Sequence, residues 1–354
     1  MNPQEFEGST YLFGAGGAAS WVLHGFRREG IAIAGFLDDD AVRIAEVGGL
    51  PVYRPDDVRI PVSARQSATV VCAVMNPLVD EVAIMKRLLS LGWRHVHSLG
   101  TYGRLELGRS GRRCGMLDGM SLELHREELQ NARLLLADDH SRGVFDGFIA
   151  FCRELDDTGF PAISPNPYFP TDLPRWAGRL RMIDCGAFDG DSVRAALSHG
   201  YFVEASISFE PDPVNYRRLA SNIHAIGGAM AWPCGVSDRT QTLRFSAQGD
   251  TGSAVSESGG VHVQCVSLDD AVPHFAPNLV KLDIEGSEEA ALRGAERIIR
   301  THRPGLAVSV YHLPTDIWRI PLFLSATLGA NTRFFLRRHS RTIADTVLYV
   351  FPDR

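Results

Sequence analysis

The sequence has no long apolar run. Its strongest ones, at 31–37 and 68–74, fall far short of the roughly 20 residues that a membrane-spanning helix needs. Its first ten residues are polar and acidic, not basic and then apolar, so no targeting segment or membrane span is expected and the location reads as cytoplasmic. Cysteine is sparse, with six residues at 72, 114, 152, 185, 234 and 265 and no CxxC pair. That spacing excludes a zinc ribbon and a disulfide-stapled scaffold and leaves the thiols as reduced core residues. Positive charge is not in excess either, since 36 Lys and Arg stand against 42 Asp and Glu for a formal charge of -6. Nothing there attracts a phosphate backbone, so nucleic acid is not expected as a partner.

What remains is ordinary globular composition, 45% hydrophobic and 22% charged over 354 residues, which is more than one compact core usually serves. Twice the chain begins an alternation of short β-rich runs with longer helical patterns. The first begins with a strand at Tyr11-Leu12-Phe13, turns through Gly14-Ala15-Gly16-Gly17, continues as a helix to Arg28 and returns as a strand over 31–37 that ends in Asp38. A further strand at 69–74 and a helix at 79–91, closed by Gly92, complete a small Rossmann-like α/β domain over 1–100. Residues 101–175 read as a mainly helical connector, with a basic segment (Arg104, Arg109, Arg112, Arg113) and amphipathic sequence over 122–155. The connector ends in a proline-rich stretch, 161–170, where missing N–H groups preclude a regular helix. Over 176–354, strands are expected at 181–185, 205–209, 230–234, 279–284 and 306–311, with helices at 215–223 and 288–300. Residues 239–266 read as a hairpin or loop excursion, and 333–338 with 346–351 as a closing antiparallel pair.

The chemistry concentrates in this second half. Asp184-x-Gly186-x-x-x-Gly190 falls where a strand meets a helix, and glycines there allow a tight turn and close approach of a ligand to backbone N–H groups. Glu210 ends the next strand, 20 residues past Gly190, where a carboxylate can accept both hydroxyl hydrogens of a ribose. Together they favour an adenosine-containing ligand. In Lys281-Leu282-Asp283-Ile284-Glu285-Gly286-Ser287-Glu288 three carboxylates lie at the end of a candidate central strand, the rim at which open parallel sheets bind ligands. Strand alternation would set Asp283 and Glu285 on one side. Ser287 would cap the following helix, whose dipole Glu289 would serve, while Glu288 stays open between that role and the carboxylate rim.

These motifs, with Phe209-Glu210-Pro211-Asp212, Ser237-Asp238, Leu268-Asp269, Arg303-Pro304 and Tyr311-His312 in the same order, resemble the FkbM-type S-adenosylmethionine-dependent methyltransferases over 160–354. The resemblance implies a C-terminal class I methyltransferase (Rossmann-like) sheet behind the smaller N-terminal α/β domain. S-adenosyl-L-methionine would be the cofactor, bound by Asp184, Gly186, Ala187, Phe188, Gly190, Asp191, Ser192, Glu210, Pro211 and Asp283, with Ser237 and Asp238 near adenine. Phe188 stands where many class I members have a glycine. The acceptor implied is a hydroxyl of a saccharide or secondary metabolite.

An alcohol must lose its proton during methylation. His312 is the candidate base, and a divalent metal bound by Asp283 and Glu285 is the alternative. Gly14, Gly16 and Asp38 form a weaker, second nucleotide fingerprint. It keeps open a nucleotide-dependent sugar-modifying enzyme, although residues 1–100 have no Tyr-x-x-x-Lys pair. A non-catalytic binding protein is the other rival, disfavoured by the intact acids at 184, 210 and 283. Homo-oligomerisation stays open.

Overall fold

The computed structural model of the protein describes residues 9–16, 19–28, 30–74, 79, 81–102, 119–154, 159–246, 254–255 and 261–353. Two compact units are present. One contains 1–124, 146–161 and 342–344, the other 125–145, 162–341 and 345–354. Among the described residues no helix is long and apolar enough to cross a membrane. Gly17, Cys114 and the basic segment with Arg104, Arg109, Arg112 and Arg113 lie outside the described residues.

The first unit has strands β1 (Thr10–Phe13), β2 (Ile33–Leu37), β3 (Glu46–Val47), β4 (Leu50–Tyr53), β5 (Thr69–Cys72) and β6 (His95–Ser98). They lie in the order β3-β4-β2-β1-β5-β6, all parallel except β3. Its helices are α1 (Ala19–Arg28), α2 (Val62–Ser67), α3 (Glu81–Ser90), α4 (Leu99–Tyr102) and α5 (Gly119–Leu124). Ala19, Val22, Leu23 and Phe26 of α1 recur at three- and four-residue spacing and are buried, the pattern that makes a helix lie on a sheet. Gly92, at φ 92°, ends α3 as expected. Its N–H reaches Leu89 O and that of Trp93 reaches Leu88 O, the paired bonds of a Schellman cap. Tyr11, Phe13, Val70, Leu88 and Trp93 form part of the core.

In the second unit α6 (Arg126–Leu135) and the start of α7 (Asp139–Glu154) precede β7 (Leu180–Cys185), α8 (Asp191–Ser198), β8 (Val203–Phe209), α9 (Pro213–Ile223) and β9 (Ala229–Trp232). Then come β10 (Gly235–Val236), β11 (Gln241–Ser246), β12 (Ala254–Val255), β13 (Val261–Val266), α10 (Leu268–Ala271), β14 (Leu279–Leu282), α11 (Glu288–Arg293) and α12 (Glu296–His302). The chain continues through β15 (Gly305–Ser309), α13 (Asp316–Leu328), β16 (Thr332–Arg338) and β17 (Thr346–Pro352). The main sheet runs β16-β17-β15-β14-β7-β8-β9. Its centre is parallel, and β17 enters antiparallel between β15 and β16. Strands β7 and β14 are almost wholly buried, as a parallel sheet covered on both faces requires. Residues 235–266 add a small sheet, in the order β10-β13-β11-β12, around the expected hairpin.

Three local expectations change. The strand at 229–232 stops at Trp232, and Gly235–Val236 joins the small sheet instead. The helix at 288–300 is two helices, because Gly294 approaches Ser237 so closely that a Cβ would lie 2.1 Å from Ser237 O. Asp269 then caps the second helix across space, its carboxylate accepting from Arg297 N and Ile298 N. Finally, β14 ends at Leu282, so strand alternation does not place Asp283 and Glu285.

Arg337 on β16 ties this unit together. Its guanidinium donates to Asp138, Asp172 and Ser141 Oγ, and the side chain is 3% exposed against 34% and 43% for the two carboxylates. Losing a buried donor set is costly, but the part-exposed acids can turn to water, so Arg337→Met should cost about 2 kcal/mol. Urea denaturation measures it, and an unchanged midpoint would show the network to be dispensable.

Candidate active site

The site grows from the register of two central strands. Lys281 on β14 stands beside Asp184 on β7, so both side chains leave the same face of the sheet, and Lys281 Nζ lies 3.2 Å from Asp184 Oδ1. The pair is buried. Burial raises the Asp184 carboxyl to about 6, with Lys281 opposing it. Burial also acts against the lysine charge, but Asp184 and Asp283 outweigh it and lift Lys281 above its ordinary value. Lys281 Nζ further donates to Gly186 O at 2.6 Å, gripping the turn that follows β7.

That turn is forced by contact. Gly186 has φ 75°, and a Cβ there would sit 1.8 Å from Asp283 O, so only glycine fits. Gly186 N and Ala187 N both donate to Phe209 O, and Gly190 N closes on Ala187 O. Phe188, at φ 47°, offers its N–H to Glu210 Oε2 at 2.8 Å, while Glu210 Oε1 accepts from Asp212 N at 2.9 Å. Glu210 is buried, and burial raises its carboxyl to about 7 against these two N–H groups. Asp212 caps α9 through Val214 N and Asn215 N, with Pro213 at the first helical position. Gly190 caps α8 at φ 86°, Asp191 accepts from Ser192 N, and Ser192 is buried. Gly235 lies against Pro211, and Ser237 and Asp238 follow it, linked to each other and to Gln241.

A second cluster follows β14. Glu285 and Gly286 have φ 54° and 92°, strained backbone for a glutamate and the kind that marks functional loops. His312 Nδ1 is 2.8 Å from Glu288 Oε1, and His312 Nε2 is 3.6 Å from both Asp283 Oδ1 and Glu285 Oε1. Glu288 Oε1 also accepts from Ile284 N. Burial alone would lower the His312 pKa, but Glu288, Glu285 and Asp283 together raise it well above the ordinary value. Carboxylates on three sides of the ring favour its charged form over the neutral base expected from the sequence. For Asp283, burial opposes ionisation, yet Lys281 and His312 hold the carboxyl below its usual range.

Residues 184–341 match the methyltransferase FkbM domain. Over those residues the chain is similar to the FkbM methyltransferases. A crystal structure of methyltransferase FkbM from Methylobacillus flagellatus KT is similar at TM-score 0.67 and 21% identity, over 97% of this chain and 90% of that one. Two further solved structures share too little of the fold to inform the site. An rRNA methylase from Streptococcus thermophilus has TM-score 0.30 and 12% identity over 48% of this chain and 82% of its own. A fibrillarin from Aeropyrum pernix, in complex with S-adenosyl-L-methionine, has TM-score 0.33 and 10% identity over 52% and 70%. No curated protein sequence matches the chain.

Within the FkbM domain the structure gathers residues that the sequence motifs left aside. Glu288 is not a solvated dipole partner; it is buried against His312. Ser287 makes no side-chain cap, and Glu289 pairs instead with Arg293 and Arg319. Tyr168 comes from the proline-rich stretch. Its hydroxyl donates to Asp283 Oδ2 at 2.7 Å, its N–H to Tyr349 Oη, and its carbonyl accepts from Trp176 Nε1. Lys281 Nζ lies 5.2 Å from its ring centre. A lysine inside the apolar run Leu279-Val280-Lys281-Leu282 is out of place in a core strand, and that mismatch was the available signal for Lys281. Tyr168-Phe169-Pro170 shares the family resemblance, but nothing in its spacing joined Tyr168 to Asp283, 115 residues away. In the first unit Asp38 repeats the Glu210 grip, accepting from Ala15 N at 2.7 Å and Asp40 N at 2.8 Å.

Glu210 gives a pH test. Its folded pKa of about 7 stands above the ordinary 4.5, so its stabilising contribution is complete below 4.5 and is lost as pH rises through 7. Between those limits wild type should lose on the order of 3 kcal/mol relative to Glu210→Gln. Denaturation curves at about pH 5 and about pH 8, on either side of most of that loss, measure it, and parallel slopes for the two proteins would contradict the assignment.

Proposed function

We propose that the FkbM domain transfers a methyl group from S-adenosylmethionine to a hydroxyl oxygen of a saccharide or secondary metabolite. The observation that carries the reading is the Glu210 carboxylate fixed by two backbone N–H groups at the glycine turn. Two of its roughly four lone-pair sites are used, which leaves acceptors for a ribose diol. The Gly186 turn, with no space for a side chain, fits a ligand lying against its backbone. It stands beside the boundary between β7 and β14, where strand order reverses and where open sheets bind ligands. Asp184, Ala187, Phe188, Gly190, Asp191, Ser192 and Pro211 would complete the cofactor site, with Ser237 and Asp238 toward adenine.

S-adenosylmethionine supplies an electrophilic methyl on a cationic sulfur, so its transfer to an alcohol leaves a neutral thioether and one proton to be removed. Glu285 is the residue placed to take that proton. His312 already holds one, Glu288 is fully buried, and Asp283 is engaged by Tyr168. The Glu285 side chain is 31% exposed, the most open of the group. The other carboxylates would face developing charge, and His312 would keep Glu285 oriented.

The first unit supports a second reading. The grip of Asp38 on Ala15 matches that of Glu210 on Phe188, which favours a nucleotide or nucleotide-sugar there, with Gly14 and Gly16 in the turn. A cytoplasmic enzyme with domains at 1–100 and 176–354, joined by a connector over 101–175, completes the proposal.

Calorimetry of the full chain should detect S-adenosylhomocysteine, with affinity that rises as pH climbs through about 7 because ionised Glu210 is the better acceptor. Glu210→Ala should weaken it about tenfold or more, the loss of one charge-assisted hydrogen-bonding group. Glu285→Gln should keep that affinity yet slow turnover against a saccharide panel by about 10²–10⁴-fold. Absence of S-adenosylhomocysteine binding would remove the whole reading, and full turnover by Glu285→Gln would remove only the proton acceptor.

A further inference from the structure

Three buried polar atoms at the carboxylate cluster make no hydrogen bond: Asp283 Oδ1, Glu288 Oε2 and His312 Nε2. Their side chains offer ligand atoms that lie within 4.8 Å of one another. Glu288 is 0% exposed and His312 is 7% exposed. A buried polar atom without a hydrogen bond typically costs ~1–3 kcal/mol, and more when charged, so three of them on one cluster of residues call for an occupant. The remaining atoms of the same side chains are all tied down. Asp283 Oδ2 accepts from Tyr168 Oη, and Glu288 Oε1 accepts from Ile284 N and from His312 Nδ1. Each residue is thus held by one polar atom and presents another, which is how outer partners fix the ligands of a metal ion.

Charge points the same way. Three carboxylates, Asp283, Glu285 and Glu288, surround the His312 ring, an anionic setting that suits a divalent cation. The set also departs from the metal site expected from the sequence, because Glu285 is not among the three residues whose ligand atoms come together. Glu285 stands beside the cluster, outside the ligand set.

We infer that Asp283, Glu288 and His312 form a binding site for one divalent cation, of the oxygen-preferring class that accepts a single imidazole. Among such ions Mn²⁺ is favoured over Mg²⁺, since a nitrogen ligand suits it better. With Nδ1 of His312 held at Glu288 Oε1, Nε2 is the ring atom left to the cation. Three protein ligands leave further positions for water, or for hydroxyl oxygens of an acceptor. The cation site rests on the cluster itself and goes beyond the methyltransferase reading.

The test is calorimetry of the full chain, first stripped with chelator and then titrated with MnCl₂, with loss of the free Mn²⁺ electron-spin signal as a second readout. One saturable site is expected. His312→Gln, Glu288→Gln and Asp283→Asn should each weaken it by about tenfold or more, while Glu296→Gln, at a part-exposed position on α12, leaves it unchanged. Circular dichroism melts identify a variant that fails to fold, and the other two then decide. No saturable site in the stripped wild type, or equal affinity in every folded variant, overturns the proposal. S-adenosylhomocysteine titrated into the same samples separates the two readings: its binding without Mn²⁺ binding sinks the cation site alone, and the reverse sinks the cofactor site alone.

Discussion

The buried Lys281–Asp184 pair is the constraint on which the rest of the second unit depends. Two charges in the middle of a parallel sheet are expensive unless each answers the other, and the β7–β14 register sets Lys281 Nζ 3.2 Å from Asp184 Oδ1. Once it is in place, the spare donor capacity of the lysine seizes Gly186 O, and the chain must turn there. The turn carries Phe188 N to Glu210, and the end of β14 carries Asp283 to Tyr168. One interaction deep in the sheet thereby sets two rims, a glycine turn on one side and a carboxylate cluster on the other.

Much of this was legible in the sequence. Short apolar runs and glycine punctuation located β1, β2, β7, β8, β15 and the closing β16–β17 pair to within a few residues, because these strands are buried on at least one face. Spacing alone brought Asp184, Gly186 and Glu210 together. Other features depend on contacts that spacing does not encode. The break at Gly294 comes from the approach of Ser237 O, and α12 receives its cap from Asp269, which lies 28 residues earlier than Arg297. The protonation of His312 depends on three acids, one of which, Glu288, reads in sequence as an ordinary first-turn glutamate.

The two units share a device. An acid that ends the second strand reaches back to an N–H of the turn after the first strand and to the N–H two residues beyond itself, in Asp38 and again in Glu210. The acid is stiffened by backbone bonds, so a ligand meeting it need not order it, and less conformational entropy is lost on binding. The side chains differ by one methylene. The longer acid serves the longer reach, since Phe188 lies one residue further past the end of its strand than Ala15 does.

Tyr168 has its own consequence. Its backbone and hydroxyl are fixed by residues 181 and 115 positions later in the chain, so the hydrogen bond to Asp283 appears only after very large loops have closed. Loop closure of that span contributes slowly growing entropy but long search times, as high contact order does in general. Asp283 thus owes its aromatic partner to a segment 115 residues earlier in the chain, and the Arg337–Asp138 pair spans still more, 199. The carboxylate cluster is in this sense a product of the domain's topology as much as of its own short motif.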